Sequence, residues 1–155
     1  MDIEQIYHRQ VDSVYRVAML YLKNPQDAED ATQTAFMKLM NKPVEFESEA
    51  HEKAWLIVTV SNVCKNQLSN WFKKKRTDFD AVAPLLQVEN RETSDIMEQV
   101  LRLPDDLKTI IYMYYFEGYS VKEISHYLKL NESTLRSRMQ KARELLRLEL
   151  EDVHE

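Results

Sequence analysis

Residues 118–147 read G-Y-S-V-K-E-I-S-H-Y-L-K-L-N-E-S-T-L-R-S-R-M-Q-K-A-R-E-L-L-R. Gly118 is the only glycine of the chain and directly follows an apolar run of helical character. Glycine enters the left-handed backbone region without a Cβ clash, so it fits just past a helix end. Ser120 and Glu123 have the spacing of a capping box, in which hydroxyl and carboxylate each satisfy one orphan N–H. They predict a short helix over 121–128 with Ile124 and Leu128 on one face. Asn131 is a second N-cap, and it opens a longer helix from Glu132 to about Leu150. Two helices joined by about three or four residues make a helix-turn-helix, which seats its second helix in a DNA major groove. Leu135, Met139, Ala142 and Leu146 recur at helical spacing and face inward. Ser133, Thr134, Arg136, Ser137, Arg138, Gln140, Lys141 and Arg143 lie off that stripe. Arginine pairs bidentately with guanine, while serine, threonine and lysine hold phosphates. A plain helical hairpin with a solvated face meets the same pattern, so these residues alone leave both readings open. Lys129 stands where such turns often carry glycine, a geometry lysine adopts at modest cost.

Working outward, Leu103-Pro104-Asp105-Asp106 reads as a turn and a fresh helix start, followed by a thick apolar face from Leu107 to Phe116. Residues 94–155 form the second domain on this reading. Residues 77–93 show no sustained period and read as a flexible linker, longer than a compact domain spends on a structureless loop. Residues 1–76 form the first domain. Its first helix spans about 3–23 and stops at Asn24-Pro25, since proline lacks the amide donor and disfavours helix in the residue before it. The second spans about 26–41, with Ala28, Ala31, Ala35, Phe36, Leu39 and Met40 as apolar contacts. The acidic residues Asp27, Glu29 and Asp30 either complement the helix dipole or bind something. The loop over 41–50 sets glutamates around Phe46 and is expected to be exposed and mobile. A long helix follows over about 51–75, although Ile57-Val58-Thr59-Val60 has strand character. It ends in Asn66, Asn70, Trp71, Lys73, Lys74, Lys75 and Arg76. Amides and an aromatic beside cations suit phosphates and unstacked bases, but a solvated helix end also welcomes cations. The fold class is all-α: two small helical domains joined by a flexible linker, the second ending in the helix-turn-helix.

The formal net charge is −5, which argues against nucleic acid until its distribution is considered. Cations cluster over 65–76 and 136–147, and acids fill 27–30, 45–52, 78–106 and the C-terminal tail. That suits a protein that meets DNA alongside a partner. The single cysteine, Cys64, has no disulfide mate, and His8, His51, His126 and His154 lack metal-ligand spacing. No nucleophile, metal or phosphate-loop constellation appears, so an enzyme is the least supported class and no cofactor is expected. No signal peptide and no membrane-spanning run is visible, so a cytoplasmic location without membrane insertion is expected.

The segments Y-L-K-N-P-Q-D-A-E-D-A-T-Q-T-A-F-M-K-L, A-W-L-I-V-T-V-S-N-V-C-K-N-Q-L and L-P-D-D-L-K-T-I-I-Y-M-Y-Y-F-E-G-Y-S-V-K-E-I-S resemble bacterial ECF (extracytoplasmic-function) sigma factors, as does L-N-E-S-T-L-R-S-R-M-Q-K-A-R-E-L-L. The resemblance implies binding to RNA polymerase core and direction of the enzyme to promoters. It places Asp27, Glu29, Asp30, Gln33, Thr34 and Phe36 on the polymerase-contacting helix. The loop over 41–50 matches the family's receiver of a flipped-out base. Asn62 and Asn66 match positions facing the melted strand. The cations Lys65, Lys73, Lys74, Lys75 and Arg76 would hold that strand. Ser133, Thr134, Arg136, Ser137, Arg138, Gln140 and Lys141 match the helix that reads promoter duplex. This chain departs from the family in an unusually acidic loop, in Asn66 where many members have aspartate, and in lysines where arginines are typical. Whether an anti-sigma factor is a further partner is left open. The rival reading is a freestanding helix-turn-helix transcriptional regulator that binds its operator without polymerase.

Overall fold

Contacts divide the chain into two units, Met1–Glu92 and Thr93–Glu155. The computed structural model describes residues 2–77, 100–101 and 103–146, with side chains up to residue 72 in the third helix. Residues 78–93 of the expected linker, and most of the helix expected before Leu101, lie outside the described residues. Every regular element among the described residues is helical.

The first unit packs α1 (Ile3–Leu22), α2 (Pro25–Asn41) and α3 (Glu49–Thr77) against one another. Asp2 caps α1, its Oδ1 accepting the backbone N–H groups of Glu4 at 3.2 Å and Gln5 at 3.4 Å. α1 ends at Lys23, whose left-handed backbone has φ 58°. That conformation costs a side-chain-bearing residue about 1–2 kcal/mol. The next element offsets it: Asn24 Oδ1 accepts the Asp27 N–H at 2.9 Å, and Pro25 takes the first helical position, where its missing amide loses no bond. The chain therefore reverses in two residues. Alanines 28, 31 and 35 of α2 are buried, as are Val14, Val17, Leu20 and Tyr21 of α1 and Leu56, Ile57 and Val60 of α3, and small side chains suit a helix that packs against both neighbours. The β-branched run is helical because burying one whole face outweighs a weak local preference.

One polar cluster crosses this core. Arg9 Nε and Nη2 donate to Glu52 Oε1 and Oε2 at 3.1 and 3.0 Å, and Gln10 Nε2 donates to Oε1 at 2.8 Å. Burial alone would raise the Glu52 carboxyl, but the hydrogen bonds from Arg9 and Gln10 and the guanidinium charge outweigh it and hold it below its ordinary value. The hydrogen bond to Glu52 in turn raises the Arg9 guanidinium. Gln10 Oε1 is buried with no partner, a cost accepted so that the amide can turn its N–H toward Glu52.

In the second unit, α4 (Asp105–Ile111) runs into a wider π-helical turn (Tyr112–Phe116), followed by α5 (Val121–Leu128) and α6 (Glu132–Leu146). The helical run expected through Phe116 thus changes register at its end. The Glu117 N–H reaches the Tyr112 carbonyl at 3.2 Å, and the Tyr119 N–H reaches Met113 at 3.0 Å. The widened turn stacks Tyr112 on Phe116 at 5.6 Å and lets the Tyr112 hydroxyl donate to Glu117 at 2.7 Å. Gly118 follows at φ 79°. Burial, aided by the Glu117 charge, raises the Tyr119 phenol well above its ordinary value, so it stays neutral. Ile110, Ile111, Met113 and Ile124 pack in the core with Leu135, Met139, Ala142 and Leu146 of α6.

Candidate functional site

Local hydrogen bonds fix how α6 is presented. The Ser120 Oγ accepts the Glu123 N–H at 3.0 Å, and the Glu123 carboxylate accepts the Ser120 N–H at 2.9 Å. α5 ends on Lys129 at φ 59°, where the Leu130 N–H bonds the Ser125 carbonyl at 3.1 Å and the Lys129 N–H bonds His126 at 3.3 Å. This is a Schellman closure, with lysine in the place glycine usually takes. The Ser125 hydroxyl also donates to the Leu130 carbonyl, tying the turn from both sides. Asn131 Oδ1 then accepts the Thr134 N–H at 2.8 Å and starts α6. The turn is held by side chains of its own residues, so the angle between α5 and α6 is set locally.

With four core residues pinning its inner face, α6 exposes Ser133, Arg136, Ser137, Gln140 and Lys141, and half-exposes Thr134 and Arg138. These are the seven residues expected to read duplex, and they share one side of a helix about 22 Å long. Three are already engaged. Arg136 pairs with Glu132 at 3.7 Å, Gln140 donates to Glu144 at 3.3 Å, and Ser133 donates to Asn131 at 3.1 Å. Arg143 is drawn away, donating to the Tyr115 hydroxyl at 3.1 Å.

A second polar strip lies on α3. Val60 and Cys64 are buried, which turns Asn62 and Asn66 out to solvent one turn apart, with Lys65 half-exposed beside them. The backbone continues helical through 73–77, but the side chains of Lys73, Lys74, Lys75 and Arg76 lie outside the described residues.

The third surface is α2. Asp27, Glu29, Asp30, Gln33 and Thr34 are exposed along it, and the Thr34 hydroxyl donates back to the Asp30 carbonyl at 2.9 Å. Phe36 is not with them: it is buried and its ring lies 4.9 Å from Tyr7 of α1. Met40, read from sequence as an apolar contact, is instead 57% exposed, as is Met37 one turn earlier. Helical register explains both, because Met40 follows Met37 by three residues and shares its outward side. A strict count at 100° per residue from Leu39 could have found this.

The loop expected over 41–50 is shorter, because α2 includes Asn41 and α3 already begins at Glu49, and it is more anchored than expected. The Phe46 ring meets His51 edge-on at 5.2 Å and Trp55 at 6.0 Å. The Glu47 N–H donates to His51 Nδ1 at 3.1 Å, and Ser48 Oγ accepts the His51 N–H at 3.1 Å, capping α3. His51, expected at the start of a helix and without metal-ligand spacing, is the post to which the loop is tied. Among the described residues no helix is long and apolar enough to cross a membrane, and no cluster of histidine, cysteine or acidic groups could hold a metal ion.

Comparison with known proteins gives a consistent result for both units. The family model Sigma-70 region 2 matches residues 6–75, and Sigma-70, region 4 matches residues 93–146. The ECF RNA polymerase sigma factor SigW of Bacillus subtilis is 27% identical, the match covering 98% of this chain and 89% of that protein. SigM of the same organism is 26% identical, over 95% of this chain and 94% of the relative. Among solved structures, the sigma factor RpoE of Bartonella quintana, crystallised with the anti-sigma factor NepR, shares the fold. Its TM-score is 0.67 at 23% identity, with 98% of each chain covered.

Proposed function

The chain belongs to the ECF RNA polymerase sigma factors, and we propose that it binds RNA polymerase core, carries the enzyme to promoters and helps to melt them in the cytoplasm. The observation that carries this reading is that region 2 and region 4 follow one another on one chain, each with a solvent-facing polar strip. In our assignment the acidic face of α2, with Asp27, Glu29, Asp30, Gln33 and Thr34, docks on polymerase. Phe36 supports that face from beneath, against Tyr7.

The remaining work is physical. Drawing a base out of the stack costs a few kcal/mol. The loop tied to His51 and Trp55 would receive the displaced base. Asn62 and Asn66 would hydrogen-bond unpaired bases of the melted strand, and Lys65 with the cations at 73–76 would hold its phosphates. Meanwhile Arg136, Arg138, Gln140 and Lys141, with the hydroxyls of Ser133, Thr134 and Ser137, would fix register on intact duplex. Each good base contact there contributes about 1–3 kcal/mol of discrimination. No side chain is asked to do covalent chemistry, which stays with the polymerase.

In vitro transcription with purified core polymerase on a promoter library tests the proposal. Discrete start sites that appear only when this chain is added are the expected result. Unchanged output, together with tight binding of the isolated chain to one duplex site, would overturn it in favour of a freestanding regulator.

A further inference from the structure

The loop between α2 and α3 is fastened to the first turn of α3 by two kinds of contact. Ser48 is held through backbone amides: its carbonyl accepts the Glu52 N–H at 3.0 Å, and its Oγ accepts the His51 N–H at 3.1 Å. Neither contact involves a group that titrates. Glu47 is held differently, because its backbone N–H donates to Nδ1 of the His51 ring at 3.1 Å. An amide N–H can only donate, so Nδ1 is the bare nitrogen and Nε2 carries the proton of the neutral ring. The same ring meets Phe46 edge-on at 5.2 Å. Ahead of Ser48 the loop therefore leans on this imidazole, and Phe46 leans also on Trp55 at 6.0 Å.

We propose that His51 is a positioning residue for the base-receiving loop, and that it holds Phe46 and Glu47 in place only as the neutral imidazole. This rests on the sigma-factor reading, which gives the loop a displaced base to receive, and adds to it a dependence on acidity. A proton on Nδ1 would set one donor against another, so the bond from Glu47 would be abolished and not merely weakened. The loop would then swing about Ser48, whose own ties do not titrate. Imidazole changes charge between about pH 5 and 8, so the change falls where a living cell can reach it. The charged groups nearest the ring in the chain are Glu45 and Glu47 of the loop, Glu49, Glu52 and Lys53 of α3, and Lys42 where α2 ends. From α1, Arg9 reaches the same turn, bonding Glu52 at 3.0 and 3.1 Å and pairing with Glu49 at 3.6 Å. These glutamates offer a charged ring carboxylates to turn toward in place of the amide. Arg9 and Gln10 hold the Glu52 carboxyl below its ordinary value, so on acidification the tie to α1 outlasts the tie to the loop.

The test uses holoenzyme assembled on core polymerase and fork-junction DNA made from a promoter that the wild-type protein recovers from the library. H51F keeps a ring against Phe46 and offers no acceptor. H51N keeps a short neutral acceptor that does not titrate. At about pH 8, where the ring is neutral, H51F should bind the fork about three- to tenfold more weakly than wild type, the worth of one hydrogen bond. That gap should close by about pH 5.5, because a charged ring accepts no better than a phenyl. Any advantage of H51N over H51F should persist across the same interval. Abasic sites walked through the displaced strand should find one position that erases the difference between wild type and H51F. A gap that stays constant with pH would overturn the proposal, as would its absence at the higher pH or its survival at every abasic position. Each of these results, obtained on a holoenzyme that still transcribes, would leave the sigma reading standing. If the wild-type chain is not retained on core polymerase at all, that reading falls and this inference falls with it.

Discussion

The polar strips on α3 and α6 are built from similar side chains and differ in what already holds them. On α6, Arg136 and Gln140 lean on Glu132 and Glu144 of their own helix. On α3, Lys65 forms no ion pair among the described residues, Asn62 and Asn66 are exposed, and an aromatic stands at the far end of the strip. The proposed ligands offer a physical reading of this difference. Duplex DNA is stiff and presents its groove edges at fixed positions, so a reading helix gains from side chains already held near their final rotamers. A single strand supplies its own flexibility and its own unstacked faces, and amides left open to solvent accept it in more than one register. Internal pairs would therefore suit a helix proposed to discriminate, and open groups a strip proposed only to hold.

The most severe way to break this comparison is to withdraw the platform that delivers both strips. Reversing charge on α2 with E29K and D30K together should lower affinity for core polymerase by about a hundredfold, since like charges brought together at an interface cost several kcal/mol. Both residues are exposed at the start of α2 and neither caps it, so helicity and thermal stability should hardly change. Polymerase affinity measured by fluorescence anisotropy decides it. Undiminished binding would detach the acidic face from its assignment.

A narrower break separates the strips. R136A should relax sequence preference at the duplex element by about 1–3 kcal/mol, the worth of one bidentate contact. That loss should vanish on a template from which the distal element is deleted. Pairing N62A with N66A should do the reverse, weakening open complexes on either template, including one already melted. Promoter selection from a library, run for both variants, shows whether the two surfaces are as distinct as their side-chain partners suggest.

The helix ends were legible in the sequence because their signals are short-range. Ser120, Asn131 and Asn24 each cap through a contact three residues away, and the inward stripe of α6 is a matter of counting. Lys129 was legible as a turn residue for the same reason. The reach of local pattern ends where partners are distant. Nothing near Arg9 or Gln10 points to Glu52, more than forty positions on, although this cluster ties α1 to the first turn of α3. Phe46 read as the tip of an acidic loop because its partners, His51 and Trp55, belong to the next helix. Phe36 shows another limit: periodicity gave its inward face while family position gave it a surface role, and only packing against Tyr7 shows where the ring lies. The π-helical turn at Tyr112–Phe116 has no local signature beyond a run of aromatics.

The long-range cluster makes a prediction with a pH sign. Glu52 titrates below its ordinary value in the folded protein, so its contribution is fully present above the ordinary glutamate range and is lost as pH falls through the lowered folded value. E52Q should destabilise the first unit by about 2 kcal/mol at neutral pH, within the range for hydrogen bonds to a charged group. The gap between E52Q and wild type should close on acidification, as the wild-type carboxyl takes up its proton. Urea unfolding at neutral and acid pH measures both. A gap that stays constant would mean that packing, not charge, is what Glu52 supplies.

The smallest effect sharpens the opening contrast most directly. Glu132 is exposed in the first turn of α6 and holds Arg136 at 3.7 Å, with both side chains largely in solvent. Such a pair contributes only about 0.3–0.5 kcal/mol, and the carboxylate also favours the positive end of the helix dipole. E132Q should therefore cost a little stability. If the pair merely occupies Arg136, the variant should bind promoter duplex about twofold more tightly at low salt, because the guanidinium no longer has to leave a carboxylate. If the pair instead pre-sets the Arg136 rotamer, E132Q should bind no better and should discriminate less well at the distal element. Both differences should fade as added salt screens the pair. Holoenzyme titrations on matched and mismatched duplex at two ionic strengths separate these outcomes, and the second is the one expected if internal pairing on α6 serves discrimination.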